Sequence, residues 1–211
     1  MMFASREEAG QRLGRYLKDE GIQADLVLGL PRGGVVVAAE VARTLQLPLD
    51  VIVVRKIGHP LQREFAVGAL AQNGVLVLDE PVIARNPIAR ADLEAVVEEE
   101  TERLRSYEAR FHGDRNPDLS AKTVLIVDDG LATGATTEAA VLSVKKQGAR
   151  KIVVAAPVAS QNAVDRVARV ADEVRALCVD TDFDAVGRYY DTFSQTTDEE
   201  VLELMKATRR A

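Results

Sequence analysis

The sequence predicts an α/β fold with a mainly parallel central sheet flanked by helices. Apolar runs of strand length recur along the chain, and most of them are continuous and rich in β-branched residues. Such runs are typical of strands that are covered on both faces, and helical periodicity fills many of the stretches between them. Alternation of strand and helix with short connections implies right-handed crossovers and ligand binding at the carboxyl ends of the strands.

The elements follow in order along the chain. Strands are predicted at 26–30, 51–54, 75–78, 124–127, 152–156 and 174–179. Helices are predicted at 35–45, 136–147 and 162–170. Gly148 supplies a stop for the second of these helices.

Two parts of the chain stand outside the alternation. An acid-rich stretch at about 88–111 predicts one long surface helix, an insertion with Glu and Arg at helical neighbour spacings. Each terminal segment opens with a capping box, Ser5 with Glu8 and Thr197 with Glu200. We expect one domain over 1–211, with a core at about 22–180 and a small cap in which the segments 1–20 and 181–211 pack together.

Composition limits the class of protein. The 211 residues are 47% apolar and include one cysteine, and no apolar run approaches the ~18 residues that span a bilayer. A folded, cytoplasmic protein without a membrane partner is therefore expected. The net charge of −6 argues against a broad surface for DNA, although it describes the far field and not a pocket.

The most informative stretch is VLIVDDGLATGATT, at 124–137. A buried strand ends in two acids, and a loop of small residues then enters a helix directly. Gly130 and Gly134 allow tight turns, and the helix N-terminus adds partial positive charge, so the loop predicts an anion cradle. Three threonines add hydroxyl donors suited to a phosphate monoester: Thr133, Thr136 and Thr137.

Asp128 and Asp129 beside that cradle are poor phosphate ligands but good acceptors for sugar hydroxyls. A phosphorylated sugar satisfies both halves of the motif. The alternative is a capped strand-to-helix turn with no ligand.

The motif resembles the phosphoribosyl-pyrophosphate (PRPP) motif of type I phosphoribosyltransferases: four apolar residues, two acids, then TG and T. It is neither a Walker A loop nor a GxGxxG fingerprint. Among members, the chain resembles best the bacterial proteins grouped only as predicted phosphoribosyltransferases. The resemblance implies transfer of ribose 5-phosphate from PRPP to a nitrogen acceptor, a nucleobase, with release of pyrophosphate and with Mg²⁺ as cofactor.

The resemblance also implies roles for the residues of the motif. Asp128 and Asp129 would anchor the ribose hydroxyls and stabilise positive charge on the ring. Mg²⁺ would be held near them through substrate and water, without a direct protein ligand. The 5-phosphate would lie on the loop residues Ala132, Thr133, Gly134, Ala135, Thr136 and Thr137.

Two further segments match the family. LGLPRGG, at 28–34, is similar to the pyrophosphate loop, with Arg32, Gly33 and Gly34 as binding residues and a cis peptide bond at Pro31–Arg32 or Leu30–Pro31. The second strand is expected to carry Arg55 and Lys56 at its carboxyl end, beside the leaving pyrophosphate. The alternatives are a plain turn before a helix and a solvated pair of surface cations.

The segment at 58–74 occupies the place of the family's mobile catalytic loop. It carries His59, Arg63 and Glu64 between glycines. We expect it to close over the substrate and exclude water.

Departures from the family pattern bear on the acceptor. Ala132 stands where 6-oxopurine members usually have Asp, and Ala156 stands where they tend to have Lys, so 6-oxopurines are disfavoured. Phe183, in an aromatic-rich segment after the last strand, is the candidate for stacking on the base, although packing of the cap explains the segment equally well. A non-catalytic PRPP-sensing regulator and a nucleotide-handling hydrolase are the alternative functions. The resemblance suggests a homodimer as one assembly, and the sequence leaves the oligomeric state open.

Overall fold

The structure is a computed structural model that describes residues 2–113 and 117–208. Its strands are β1 (Leu26–Gly29), β2 (Leu49–Val51), β3 (Val54–His59), β4 (Gln62–Ala71), β5 (Val75–Leu78), β6 (Thr123–Val127), β7 (Lys151–Ser160) and β8 (Glu173–Asp180). Its helices are α1 (Arg6–Asp19), α2 (Gly33–Leu45), α3 (Glu80–Arg85), α4 (Arg90–His112), α5 (Ala135–Lys146), α6 (Gln161–Val167) and α7 (Asp198–Thr208). Short 3-10 turns lie at Gln72–Gly74 and Val186–Tyr189.

Five parallel strands form the central sheet in the order β2-β1-β6-β7-β8. The order reverses between β1 and β6, and residues 26–29 of β1 pair with residues 124–127 of β6. Open parallel sheets bind ligands at such a switch point, beyond the carboxyl ends of the strands. The expected α/β class with a parallel, helix-flanked sheet is confirmed.

Alternate residues of each strand enter two different cores, as the pleat requires. Val27, Leu125 and Val153 pack on one face with α1, α2 and α7. Leu28, Ile126 and other residues of the opposite phase pack on the other face with α5 and α6. Burial on both faces explains why these strands are continuous apolar runs in the sequence.

A second sheet, antiparallel and in the order β3-β4-β5, stands beside the central one. It corrects three expectations. The strand at 75–78 belongs to this sheet and not to the parallel one. The segment at 58–74, where the catalytic loop is expected, consists mostly of strand. Arg55 and Lys56 lie within β3 and not at the carboxyl end of the second strand, which ends at Val51. The hairpin forms because β4 pairs on both of its edges, a long-range effect that local glycines do not reveal.

The terminal helices begin where the capping boxes predict. The Ser5 hydroxyl accepts from the Glu8 N–H, and Thr197 and Glu200 satisfy each other's backbone N–H groups. Both α1 and α7 pack against α2. No helix among residues 2–113 and 117–208 is long and apolar enough to cross a membrane.

Candidate functional site

Two loops meet at the carboxyl ends of β1 and β6. A Cβ atom built on Gly34 would lie 2.7 Å from Asp128 Oδ1 and 3.0 Å from Asp128 Cα. A Cβ atom on Gly33 would collide with the Asp129 carboxylate. Only glycine therefore allows the PRGG loop to lie directly against the two acids.

The cis peptide bond in this loop joins Pro31 to Arg32. Of the two bonds considered from the sequence, it is the one that does not precede proline. The Arg32 guanidinium is half-exposed, and its Nη1 lies 3.8 Å from Asp198 Oδ1 at the start of α7.

Asp128 follows β6 directly and is a strongly perturbed acid. Burial, together with repulsion from the neighbouring Asp129 carboxylate, raises its pKa well above the usual value for aspartate. The Asp129 N–H donates to Asp128 Oδ1 at 2.8 Å and favours the ionised form. The site thus holds two carboxylates whose charges compete.

Arg6, from the first turn of α1, supplies the compensating charge. Its Nε donates to Asp129 Oδ2 at 2.7 Å, and its Nη1 donates to the Ser194 carbonyl oxygen at 2.7 Å. Its Cζ lies 3.8 Å from the centre of the Phe193 ring. The side chain is only 10% exposed. No sequence pattern indicates this contact, because 123 residues separate the two partners.

The phosphate-loop candidate runs from Ala132 into α5. Gly134 has φ +74°, a conformation that glycine adopts without strain, and the exposed Ala132 and Thr133 precede it. The Ser160 hydroxyl donates to the Ala132 carbonyl oxygen and fixes the loop. Thr136 is half-buried, and Ala135 opens the helix.

Thr137 is 1% exposed, and its hydroxyl has no hydrogen-bond partner among the described residues. Buried hydroxyls normally have a partner, so an orphan at the N-terminus of a helix is consistent with an anionic ligand there.

Arg55 and Lys56 point to opposite faces of β3. Arg55 Nε donates to Glu100 Oε2 at 2.9 Å, and its Cζ lies 5.3 Å from the centre of the Tyr107 ring. Arg55 and Arg32 line one cavity of about 250 Å³, whereas Lys56 is exposed. The acid-rich helix therefore contacts this part of the candidate site, since Glu100 of α4 binds Arg55.

The hairpin residues have local partners. The ring Nδ1 of His59 accepts from the Leu61 N–H at 3.2 Å, and Arg63 pairs with Glu99 of α4. Glu64 is exposed on β4.

The aromatic segment packs on itself and beside the acids. The Phe183 and Tyr189 rings stack with centroids 5.3 Å apart, so Tyr189 covers one face of Phe183. The Tyr189 hydroxyl donates to Asp180, and that bond raises the pKa of Tyr189 to about 12. The Tyr190 hydroxyl donates to the Asp129 carbonyl oxygen at 2.6 Å. Burial and the Asp129 carboxylate raise the pKa of Tyr190, so it stays protonated as a donor.

The two loops, the acid pair and the orphan hydroxyl are the groups that a site for a phosphorylated sugar would need. Comparison with known families agrees, since the model of the phosphoribosyl transferase domain matches residues 6–192. The chain therefore belongs to the phosphoribosyl transferase family.

Individual relatives extend this assignment. The chain is 43% identical over 211 residues to "Putative phosphoribosyl transferase Rv0571c" of Mycobacterium tuberculosis, covering 99% of this chain and 47% of that protein. It thus spans about half the length of the curated relatives it matches. The crystal structure of TT1426 from Thermus thermophilus superposes with a TM-score of 0.79 and 45% identity, over 97% of this chain and 98% of that one.

A purine phosphoribosyltransferase from Pyrococcus horikoshii shares the fold, with a TM-score of 0.52 and 18% identity over 93% of this chain and 98% of that one.

Proposed function

We propose that this protein transfers ribose 5-phosphate from PRPP to a nitrogen acceptor, a nucleobase, and releases pyrophosphate. The observation that carries the proposal is the contact of Gly33 and Gly34 with Asp129 and Asp128. This contact brings the PRGG loop against the two acids, and the chain runs from these acids through the 130–134 loop into α5.

Each part of PRPP has a matching group. The 5-phosphate would accept from the N–H groups of residues 133–137 and from the orphan Thr137 hydroxyl. The ribose hydroxyls would donate to Asp128 and Asp129. The pyrophosphate would lie at Arg32, Gly33 and Gly34, with Arg55 and Lys56 neutralising charge as the glycosidic bond breaks.

Bond breaking at the anomeric carbon leaves positive charge on the ribose ring. The two carboxylates that accept from the ring hydroxyls would stabilise that charge electrostatically, and binding of the sugar at both ends would hold the anomeric carbon in place. Because Arg6 neutralises part of the acid pair, binding of the ribose hydroxyls must compete with the Arg6–Asp129 ion pair.

The donor set fits Mg²⁺ bound through substrate and water. Two adjacent carboxylates offer hard oxygen atoms, but Arg6 holds Asp129, and a backbone N–H holds Asp128. When bound, Mg²⁺ would supply positive charge to the pyrophosphate. Asp128 and Asp129 would orient its water ligands.

The acceptor is the finer part of the proposal. Ala132 is exposed beside the acids and offers no side-chain acceptor, and Ala156 is buried in β7, which argues against 6-oxopurines. Phe183 has one ring face covered by Tyr189, so we propose the opposite face for stacking on a base.

Pyrophosphate release tests the function. PRPP and Mg²⁺ are mixed with the protein and a panel of purines, pyrimidines and small amines, and release with one acceptor is expected. Asp128→Asn with Asp129→Asn should abolish release, whereas Glu98→Gln with Glu102→Gln, on an exposed face of α4, should not change it.

Calorimetric binding of PRPP separates the alternatives. Binding without release for any acceptor supports the PRPP-sensing regulator, and no binding refutes the site. Light scattering after size exclusion tests the proposed homodimer.

A further inference from the structure

A cavity of about 410 Å³ lies outside the proposed PRPP site, between α1, α2 and α7. Val36, Leu204 and Ala207 give it an apolar floor, and hydroxyls line its wall. The carboxylates of Glu7, Glu200 and Glu203 stand at its rim.

The charge of this cavity is negative. Among the residues that the structure describes, Arg6 is its one cation, and that charge is already matched by Asp129 and the Ser194 carbonyl oxygen. Glu7 and Glu203 form no ion pair or side-chain hydrogen bond with residues 2–113 and 117–208. The helix dipole accounts for Glu7 in the first turn of α1, but Glu203 lies beyond the first turn of α7.

A second observation points to a ligand. Thr196 lines the cavity, is 7% exposed, and its hydroxyl forms no hydrogen bond within the described part of the chain. The hydroxyl belongs to a side chain in the cavity wall and has no partner among the described residues, so it is available to a guest. Carboxylates at the rim, a hydroxyl in the wall and an apolar floor together suit a short hydrocarbon that carries ammonium groups.

We propose that this cavity is a second ligand site, that it takes a small organic amine, and that Arg6 links its occupancy to Asp129. Arg6 forms the boundary between the two sites, since it lines the cavity and contacts both Asp129 and Gly33. An ammonium group in the cavity repels the guanidinium and favours its position on Asp129. A bound amine therefore opposes binding of the ribose hydroxyls to Asp129.

Calorimetry of the full chain without PRPP tests the site by itself. The probe is 1,4-diaminobutane, and butan-1-ol is its uncharged control. Saturable binding of the diamine alone is expected, weakened roughly fivefold by Glu7→Gln with Glu203→Gln. Thr196→Val should also weaken it. The pair Glu98→Gln with Glu102→Gln changes the net charge equally and should leave it unchanged. If butan-1-ol binds as tightly as the diamine, or if both double variants lose diamine affinity equally, the proposed amine site is refuted.

The link to Asp129 is tested with PRPP and Mg²⁺. Saturating diamine should weaken PRPP binding roughly fivefold, and PRPP should weaken diamine binding by the same factor. The Glu7→Gln with Glu203→Gln variant corrects for association of the amine with PRPP in solution. An unchanged PRPP affinity overturns the link. Diamine binding without any PRPP binding leaves the amine site standing and refutes the proposed function instead.

Discussion

Among single residues, Arg6 has the clearest expected effect on stability, because its side chain pairs with the Asp129 carboxylate. Arg6→Met leaves Asp129 without its partner in a setting where the two side chains are 10% and 16% exposed. The unfolding free energy in urea should fall by about 2 kcal/mol, the usual value for a hydrogen bond to a charged group. Arg6→Lys keeps the positive charge and should lose less of the unfolding free energy than Arg6→Met.

The matched control is Arg90→Met, which breaks the exposed Arg90–Glu94 pair of α4. Arg90→Met should lower the unfolding free energy by less than about 0.5 kcal/mol. Equal losses for Arg6 and Arg90 would contradict the assigned role of Arg6.

Asp128 gives a prediction about pH. Its pKa in the folded state is raised by burial and by Asp129, so above the ordinary value of 3.8 the unfolded chain releases its proton first. The folded state then binds more protons, and this group reduces stability as pH rises from about 4 toward its folded pKa. Asp128→Asn should therefore become more stable relative to the wild type across that window, as measured by urea unfolding at several pH values. A constant difference between the two proteins would contradict the raised pKa.

These residues differ in how far the sequence reveals them. Asp128, Asp129, Gly33 and Gly34 stand in short motifs whose spacing has a chemical reason, so their meeting at one sheet edge could be predicted. Arg6 follows an ordinary helix cap, and only the folded chain brings it to Asp129. Neither hydrophobic periodicity nor a sequence motif indicates the role of Arg6.

The candidate site requires the start of α2 to lie against the two acids. Substitution of Gly34 tests this packing of α2 against the end of β6. Gly34→Ala places a Cβ 3.0 Å from the Asp128 Cα, a backbone atom that has little freedom to retreat. We expect a loss of about 1–3 kcal/mol in stability, as for other overpacked sites, together with weaker PRPP binding by calorimetry.

Gly113→Ala serves as its control. A Cβ at Gly113 meets open space but must adopt φ +59° and ψ −129°, so the substitution should cost about 1–3 kcal/mol in stability and leave PRPP binding unchanged. Equal PRPP affinities for the two variants would contradict the contact between the loops.

A buried polar network ties the end of α4 to the edge of the central sheet. His112 Nδ1 lies 3.4 Å from Asp50 Oδ1, and its Nε2 lies 3.0 Å from Gln72 Nε2. His112→Ala leaves Gln72 short of a partner in a buried site and removes packing. The unfolding free energy should fall by at least about 1–3 kcal/mol. His59→Ala, on the hairpin, should change it by less than about 0.5 kcal/mol, and a larger effect there would contradict the assignment.

At this scale the sequence predicts the central strands and their helices well, because burial on both faces leaves a continuous apolar run. It fails for the β3–β4 hairpin. Gly58, Gly68 and Gly74 indicate a loop, yet close approach to neighbouring strands is what Gly58 and Gly68 provide: a Cβ there would collide with the Arg63 and Val77 carbonyl oxygens. Glycine occurs both in loops and where strands approach closely, and only the strand pairing distinguishes the two cases.

For the whole molecule, the net charge of −6 and a polyanionic substrate are compatible because charge acts over short distances in salt. At physiological ionic strength the Debye length is about 8 Å, so groups in contact with the ligand outweigh the average surface. Glu99 and Glu100 of α4 face the hairpin and bind Arg63 and Arg55. Glu98 and Glu102 are exposed and lie two positions from Glu100, about 200° around the helix from it.

The positions of these charges predict which of them affect the affinity for PRPP. Lys56→Gln removes an exposed cation next to Arg55 and should raise the PRPP dissociation constant roughly fivefold at physiological salt. Glu98→Gln with Glu102→Gln makes the molecule less negative by two charges, yet should leave that constant unchanged at the same salt, because both groups are exposed and screened by solvent and salt. At low salt the screening weakens, and the double variant should then bind PRPP more tightly than the wild type. Calorimetry at two ionic strengths distinguishes the cases. If the double variant binds PRPP more tightly at physiological salt as well, the overall charge and not the local arrangement of cations governs the site.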